Sequence, residues 1–144
     1  MTEPVSLEDI KNHLVLDPGD TGEDAYLASL ITAARVICEI RTNRQIVGAD
    51  RLLVLDRFPG RNDWLRLPVV PRMHGDADLL LTGGSVTAVA VTYRDAAGAM
   101  VALDPAAYWT DLDSEPAVVR PVADWPQAQD RPGAVKVAYT VSPL

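Results

Sequence analysis

The hydrophobic pattern changes period once along this chain, and that change fixes the order in which structural classes can occur. Up to about Thr42 apolar residues return every three or four positions; beyond Gly48 they come in short runs cut by Pro, Gly, Asn and Asp. Helices first and strands afterwards, without alternation, predict an α+β fold with segregated layers. The expected order is two N-terminal helices, one short and one long, followed by a mostly antiparallel β-rich portion. One core suffices for 144 residues, so a single domain over 1–144 is expected, helical over residues 1–44 and β-rich over residues 45–144.

Ser6 followed by Asp9 has the spacing of a capping box, and Leu7, Ile10 and Leu14 follow at helical intervals. The turn-rich segment DPGDTGED, residues 17–24, is acidic. It opens a second helix with Thr21 as N-cap and acids in the first turn, where the helix dipole favours them. Across residues 23–42, Leu27, Leu30, Ile31, Ala34, Ile37, Cys38 and Arg41 form one long apolar stripe, and Arg35, Glu39 and Arg44 fall on a wet face beside it.

The β-rich portion begins with LLVLDRF and continues through candidate strands at 64–67, 85–94, 100–103, 108–112, 117–120 and 134–141. In SVTAVAVTYRD both faces are largely apolar, which marks a central strand, and DAAG at 95–98 closes a hairpin behind it. Two stretches, 68–84 and 121–133, carry prolines and glycines without strand periodicity and read as ordered loops over the core. No internal repeat is present.

Composition excludes several classes. The longest apolar runs fall well short of a membrane span, and the start MTEPVSLEDI lacks a secretory pattern. Cys38 is the only cysteine, so a disulfide within the chain cannot form and a reducing cytoplasm is the natural compartment. A net charge of −7 opposes general affinity for nucleic acid. Eleven of the 13 basic residues are arginine, a side chain suited to contacts between subunits.

Chemistry-bearing residues are few. His13 and His74 are the only histidines, neither belongs to a nucleophile motif, and helix-end or loop packing accounts for both. Asp111, Asp113 and Glu115 alternate and would gather a hard cation if they shared a strand face, but edge-guarding charge explains them as well. TGGS at 82–85 leads into a strand, not a helix, and reads as a turn where a phosphate loop would open a helix. Trp64, Trp109 and Trp125, with Phe58 and Tyr93, are expected as core or interface aromatics. No catalytic residue, cofactor or metal is expected.

The wording of the chain is more specific than its chemistry. VSLEDIKNHL, an acidic loop and a long helix precede a strand with LDRFPG; then come RLP, SVTAVAVTYRDAAG, LDPAAYWTDLDSEPAVVRP, WP and RPGAVKVAYT in order. Together these resemble the head-tail connector (adaptor, head completion) family of tailed bacteriophages and prophages over nearly the whole chain. Against that family 69–84 looks like an insertion, in which Arg72, His74, Asp76 and Asp78 are candidate partner contacts. The family's C-terminal helices have no counterpart after Val141.

The resemblance implies a non-enzymatic virion protein made in the host cytoplasm and placed in the neck between head and tail. It would form a homo-oligomeric ring, dodecameric, bound to the portal protein on one side and to a stopper or tail-completion protein on the other. Genomic DNA would pass through the ring without sequence-specific binding, and an acidic bore would keep its phosphates from sticking; no membrane is involved. Ring closure needs a heterologous interface, in which unlike patches of successive subunits meet. Three other readings stay open: a different neck or tail component, such as a stopper or tail terminator; a metal-dependent hydrolase built on Asp111, Asp113 and Glu115; and a free-standing peptide- or protein-binding module, which would stay monomeric and ignore portal rings.

Overall fold

Nine helices and strands lie among the residues that the computed structural model describes, 3–60 and 78–143. The chain runs α1 (Leu7–Leu14), α2 (Asp24–Thr42), β1 (Ala49–Leu55), β2 (Leu79–Leu81), β3 (Val86–Arg94), β4 (Met100–Ala102), β5 (Tyr108–Asp111), β6 (Ala117–Pro121) and β7 (Val135–Val141), with a 3-10 turn at Pro105–Ala107. The α+β reading holds, with helices first and antiparallel strands after them.

The strands form two antiparallel sheets, one of four strands in the order β1-β7-β3-β4 and one of three in the order β2-β6-β5. Their inner faces share one core. Val135, Val137, Tyr139 and Val141 of β7 meet Val86 and Val91 of β3, and the second sheet supplies Leu79, Leu81, Ala117 and Val119. β7 alternates buried and more open positions throughout, the period of two expected when one face of a strand is packed. As predicted, β3 is an internal strand, and its hairpin to β4 turns through Gly98 at φ +86, a backbone region where a side chain would be strained.

Most strand expectations hold within a residue or two. The span 64–67 lies outside the described residues. One strand was not expected: β2 falls in the stretch 68–84 that the glycine and proline pattern marks as irregular, yet Leu79 and Leu81 are among the most buried side chains. Three apolar residues in a row next to TGGS are too short a run to show a period. Pairing with β6 decides it.

The capping box of α1 forms in full. Ser6 Oγ accepts from Asp9 N at 3.1 Å, and Asp9 Oδ2 accepts from Ser6 N at 3.1 Å. The start of α2 differs from expectation: its N-cap is Glu23, without a side-chain cap bond, and Thr21 contributes only its carbonyl, to Asp24 N. Asp17 and Asp20 instead accept from Gly19 and Gly22 N in successive tight turns.

Candidate assembly surface

Each helix buries a charge where its sequence promised apolar packing. On α1 the buried residue is Lys11, whose Nζ pairs with the Asp24 carboxylate and donates to the Asp20 carbonyl at 2.7 Å, while Leu14 is exposed. This ties α1 to the first turn of α2. On α2 the buried residues are Leu27, Ile31 and Glu39, with Arg35 nearly so. The expected wet face for Arg35 and Glu39 is therefore wrong; Arg44 alone of the three is open, and it pairs with Glu115.

Satisfied hydrogen bonds explain the inversion. Glu39 Oε1 accepts from Ile46 N at 2.9 Å and from Val47 N at 3.2 Å, and its Oε2 accepts from Arg35 Nη1 at 2.8 Å. Arg35 Nε donates to Glu3 Oε2 at 2.8 Å, and Thr32 Oγ1 donates to Glu3 Oε1 at 2.9 Å. A buried carboxylate with three donors no longer carries the desolvation penalty of an unpaired one. Burial pushes the Glu39 carboxyl up, but the N–H groups of Val47 and Ile46, together with Arg35, outweigh it and hold its pKa below the ordinary carboxylate value. Glu3 is also held low, first by its hydrogen bond from Arg35.

With that side turned inward, the opposite side of α2 is apolar and uncovered. Tyr26, Leu30, Ala33, Ile37 and Ile40 are exposed, Ile40 by 75% and Tyr26 by 62%. Their spacing of 4, 3, 4 and 3 is that of a helix-packing seam. The stripe expected from the sequence was displaced from this one by a fraction of a turn. It mixed Leu27 and Ile31, which are buried, with Leu30 and Ile37, which are not.

A second apolar surface lies on the outer face of the four-stranded sheet. Register places Leu52, Ala138 and Ala90 in one cross-strand row, and Val54, Lys136, Thr92 and Ala102 in the next. Leu52 is 57% and Val54 48% exposed; Ala88, Ala90, Ala138 and Met100 are open as well. Asp50 stands at the end of this face, accepting from Thr140 Oγ1 at 2.8 Å. Two uncovered apolar faces exceed what scattered surface residues account for.

The three-stranded sheet presents a polar-aromatic row on its own outer side. Trp109 lies opposite Arg120, and Arg120 Nε and Nη2 donate to the two Asp78 oxygens, each at 2.8 Å. Trp109 is 67% exposed. Of the four candidate contacts named from the sequence, Arg72, His74 and Asp76 lie outside the described residues. Asp78 is described, and its buried carboxylate is engaged by Arg120 within the chain. Phe58 stacks on Trp125 with ring centroids 4.7 Å apart, and both line a cleft of about 270 Å³ together with Pro59, Gly60 and Pro121.

The alternating acids do not share a strand face. Asp111 ends β5 and accepts from Asp113 N and Ser114 N, and Glu115 pairs with Arg44. Among the described residues, no three His, Cys, Asp or Glu side chains converge as a metal site. His13 sits in the last turn of α1, where a basic side chain complements the helix dipole.

No protein-family model and no curated protein matches the chain. A solved structure does. Described as the neck of an empty GTA particle computed with C6 symmetry, it contains a chain that superposes with a TM-score of 0.67 at 21% identity. The fold is that of a chain in a GTA particle neck. The match covers 99% of this chain and 68% of the neck chain, so about a third of the latter has no counterpart here.

Proposed function

We propose that this protein is a structural component of the neck of a phage-like particle, and within it the adaptor that rings the exit of the portal. The observation that carries the reading is the fold match to a neck chain over 99% of the residues. The uncovered α2 stripe and sheet face support it, because a protein built to assemble leaves apolar surface for its partners. Its contribution is surface complementarity, without catalysis.

In this reading the subunits close into a ring, with the portal on one side and a stopper or tail-completion protein on the other, and DNA passes through. Sixfold symmetry was imposed on the neck of the GTA particle. A ring of twelve satisfies it with two copies per repeat. The net charge of −7 suits a channel wall that phosphates slide past.

Electron microscopy of purified portal rings with and without the protein tests the assignment. Ringed density added at one end of the portal is expected. A protein that leaves portal rings bare, and instead caps a tail tube or completed neck, belongs at the stopper or terminator position.

A further inference from the structure

The two uncovered faces differ in shape, and the difference is complementary. The α2 stripe projects large side chains, Tyr26, Leu30, Ile37 and Ile40, whereas the outer sheet face sets Ala138 and Ala90 beside Leu52, and Lys136, Thr92 and Ala102 beside Val54, with Met100 at the far edge. We propose that α2 of one copy seats on the outer face of the four-stranded sheet of the next. The proposal rests on the ring reading above and names the contact that makes the ring.

Dimensions fit. A 19-residue helix is about 28 Å long and about 10 Å across. The nine residues of β3 span about 30 Å, and four strands at about 4.8 Å spacing make a floor wide enough for one helix. The large apolar side chains of the two faces are each more than 40% exposed, and burying them together is the kind of contact from which a specific interface of about 1,000 Å² is built.

Charge fits as well. Arg41, beside the stripe in the last turn of α2, has no carboxylate partner among the described residues, and Asp50 stands uncovered at one end of the sheet face. Opposite signs meet when the C-terminal end of the helix lies at the start of the neighbour's β1.

Among the described residues nothing covers either face, and the stripe is on the side of α2 opposite its buried residues. Nor does either face complement itself: one is convex with large side chains, the other flat and small. Unlike patches meeting head to tail give a heterologous contact, which closes into a ring when the rotation per subunit allows. The likeness in fold to a neck chain needs no such detail, so the contact and the neck assignment stand or fall separately.

The test uses the full chain carrying Ile37→Glu or Ala138→Glu, each at an exposed position, followed by sedimentation over a concentration series. The unaltered chain is expected to self-associate, and each variant to do so at least about 30-fold more weakly, the loss typical of a central contact. An equal mixture of the two variants should stop at a dimer, since one retains its sheet face and the other its helix. If assembly occurs only on the portal, the same variants are compared there.

Joint replacement Ile37→Cys and Ala138→Cys in a Cys38→Ser background reads the contact independently of affinity. Oxidation should give a ladder of cross-linked copies. Several outcomes overturn the inference: loss of association by Ile37→Glu alone, which means helix pairs with helix; no effect of either variant; or a chain that stays monomeric both alone and with the portal. Rings that survive both variants on a portal refute this contact but keep the neck reading. Rings that depend on both residues yet ignore the portal keep this contact but refute the adaptor position.

Discussion

Arg35 and Glu39, one turn apart on α2, hold their 2.8 Å ion pair on the inward side of the helix, while Ile37 between them faces solvent with 54% of its surface exposed. The carboxylate is the pivot, because it also receives the two N–H groups that lead the chain into β1. Glu39→Ala strips these N–H groups and Arg35 of their acceptor and is expected to cost about 1–3 kcal/mol. Urea unfolding followed by circular dichroism measures it. Glu39→Gln, which retains an acceptor, should fall between this variant and the unaltered chain.

Acid should loosen the same region. Glu39 and Glu3 both have folded pKa values below their ordinary 4.5. A depressed carboxylate contributes stability that is fully present above the unfolded value and is lost as pH falls through the folded one. Stability is therefore expected to hold from neutrality to about pH 5 and to drop below about pH 4.5. Unfolding midpoints across that range check it, and a Glu39→Gln chain should show a shallower drop.

Leu81 and Leu52 separate folding from assembly. Leu81 is fully buried between the sheets, so Leu81→Ala should cost about 2–5 kcal/mol and lower the melting temperature by about 3 °C for each kcal/mol lost. Leu52 is 57% exposed, and Leu52→Ala should change monomer stability by no more than about 0.5 kcal/mol. The second variant should nevertheless weaken self-association. Equal thermal shifts for the two would show that Leu52 is packed in the monomer.

Val15 closes α1 in the left-handed region at φ +57 and is 90% exposed. A β-branched residue is strained there by about 1–2 kcal/mol, whereas glycine is not. After the entropy glycine loses on folding, Val15→Gly should still stabilise the chain by about 0.5–1 kcal/mol. Thermal unfolding gives the sign directly.

Trp109 stands opposite Arg120 on the three-stranded sheet with most of its ring in solvent. If that side meets another neck protein, Trp109→Ala should leave the fold intact and weaken the docking by about 30-fold or more, as loss of an aromatic anchor does. Titration of the purified partner against both forms measures this. Unchanged binding would assign the docking to a different side.

The fold was largely legible because its signals are local. The Ser6–Asp9 capping box, the period of two along β7 and the hairpin at Gly98 each arise within a few residues, and each appears in the structure where the sequence places it. β2 was missed because LLL has no period of its own. The assembly surface was only half legible: the spacing of Tyr26, Leu30, Ala33, Ile37 and Ile40 can be read from the sequence, but so can a competing stripe through Leu27, Leu30, Ile31 and Ala34.

By itself the sequence determined that α2 would be a helix carrying an apolar stripe and that strands would follow it. Tertiary structure alone decided which side faces inward. The choice falls to Arg35 and Glu39 because their partners come from elsewhere in the chain, Glu3 before α1 and the N–H groups of Ile46 and Val47 after α2. A charge can be buried only where distant groups converge to satisfy it, and periodicity carries no record of such convergence.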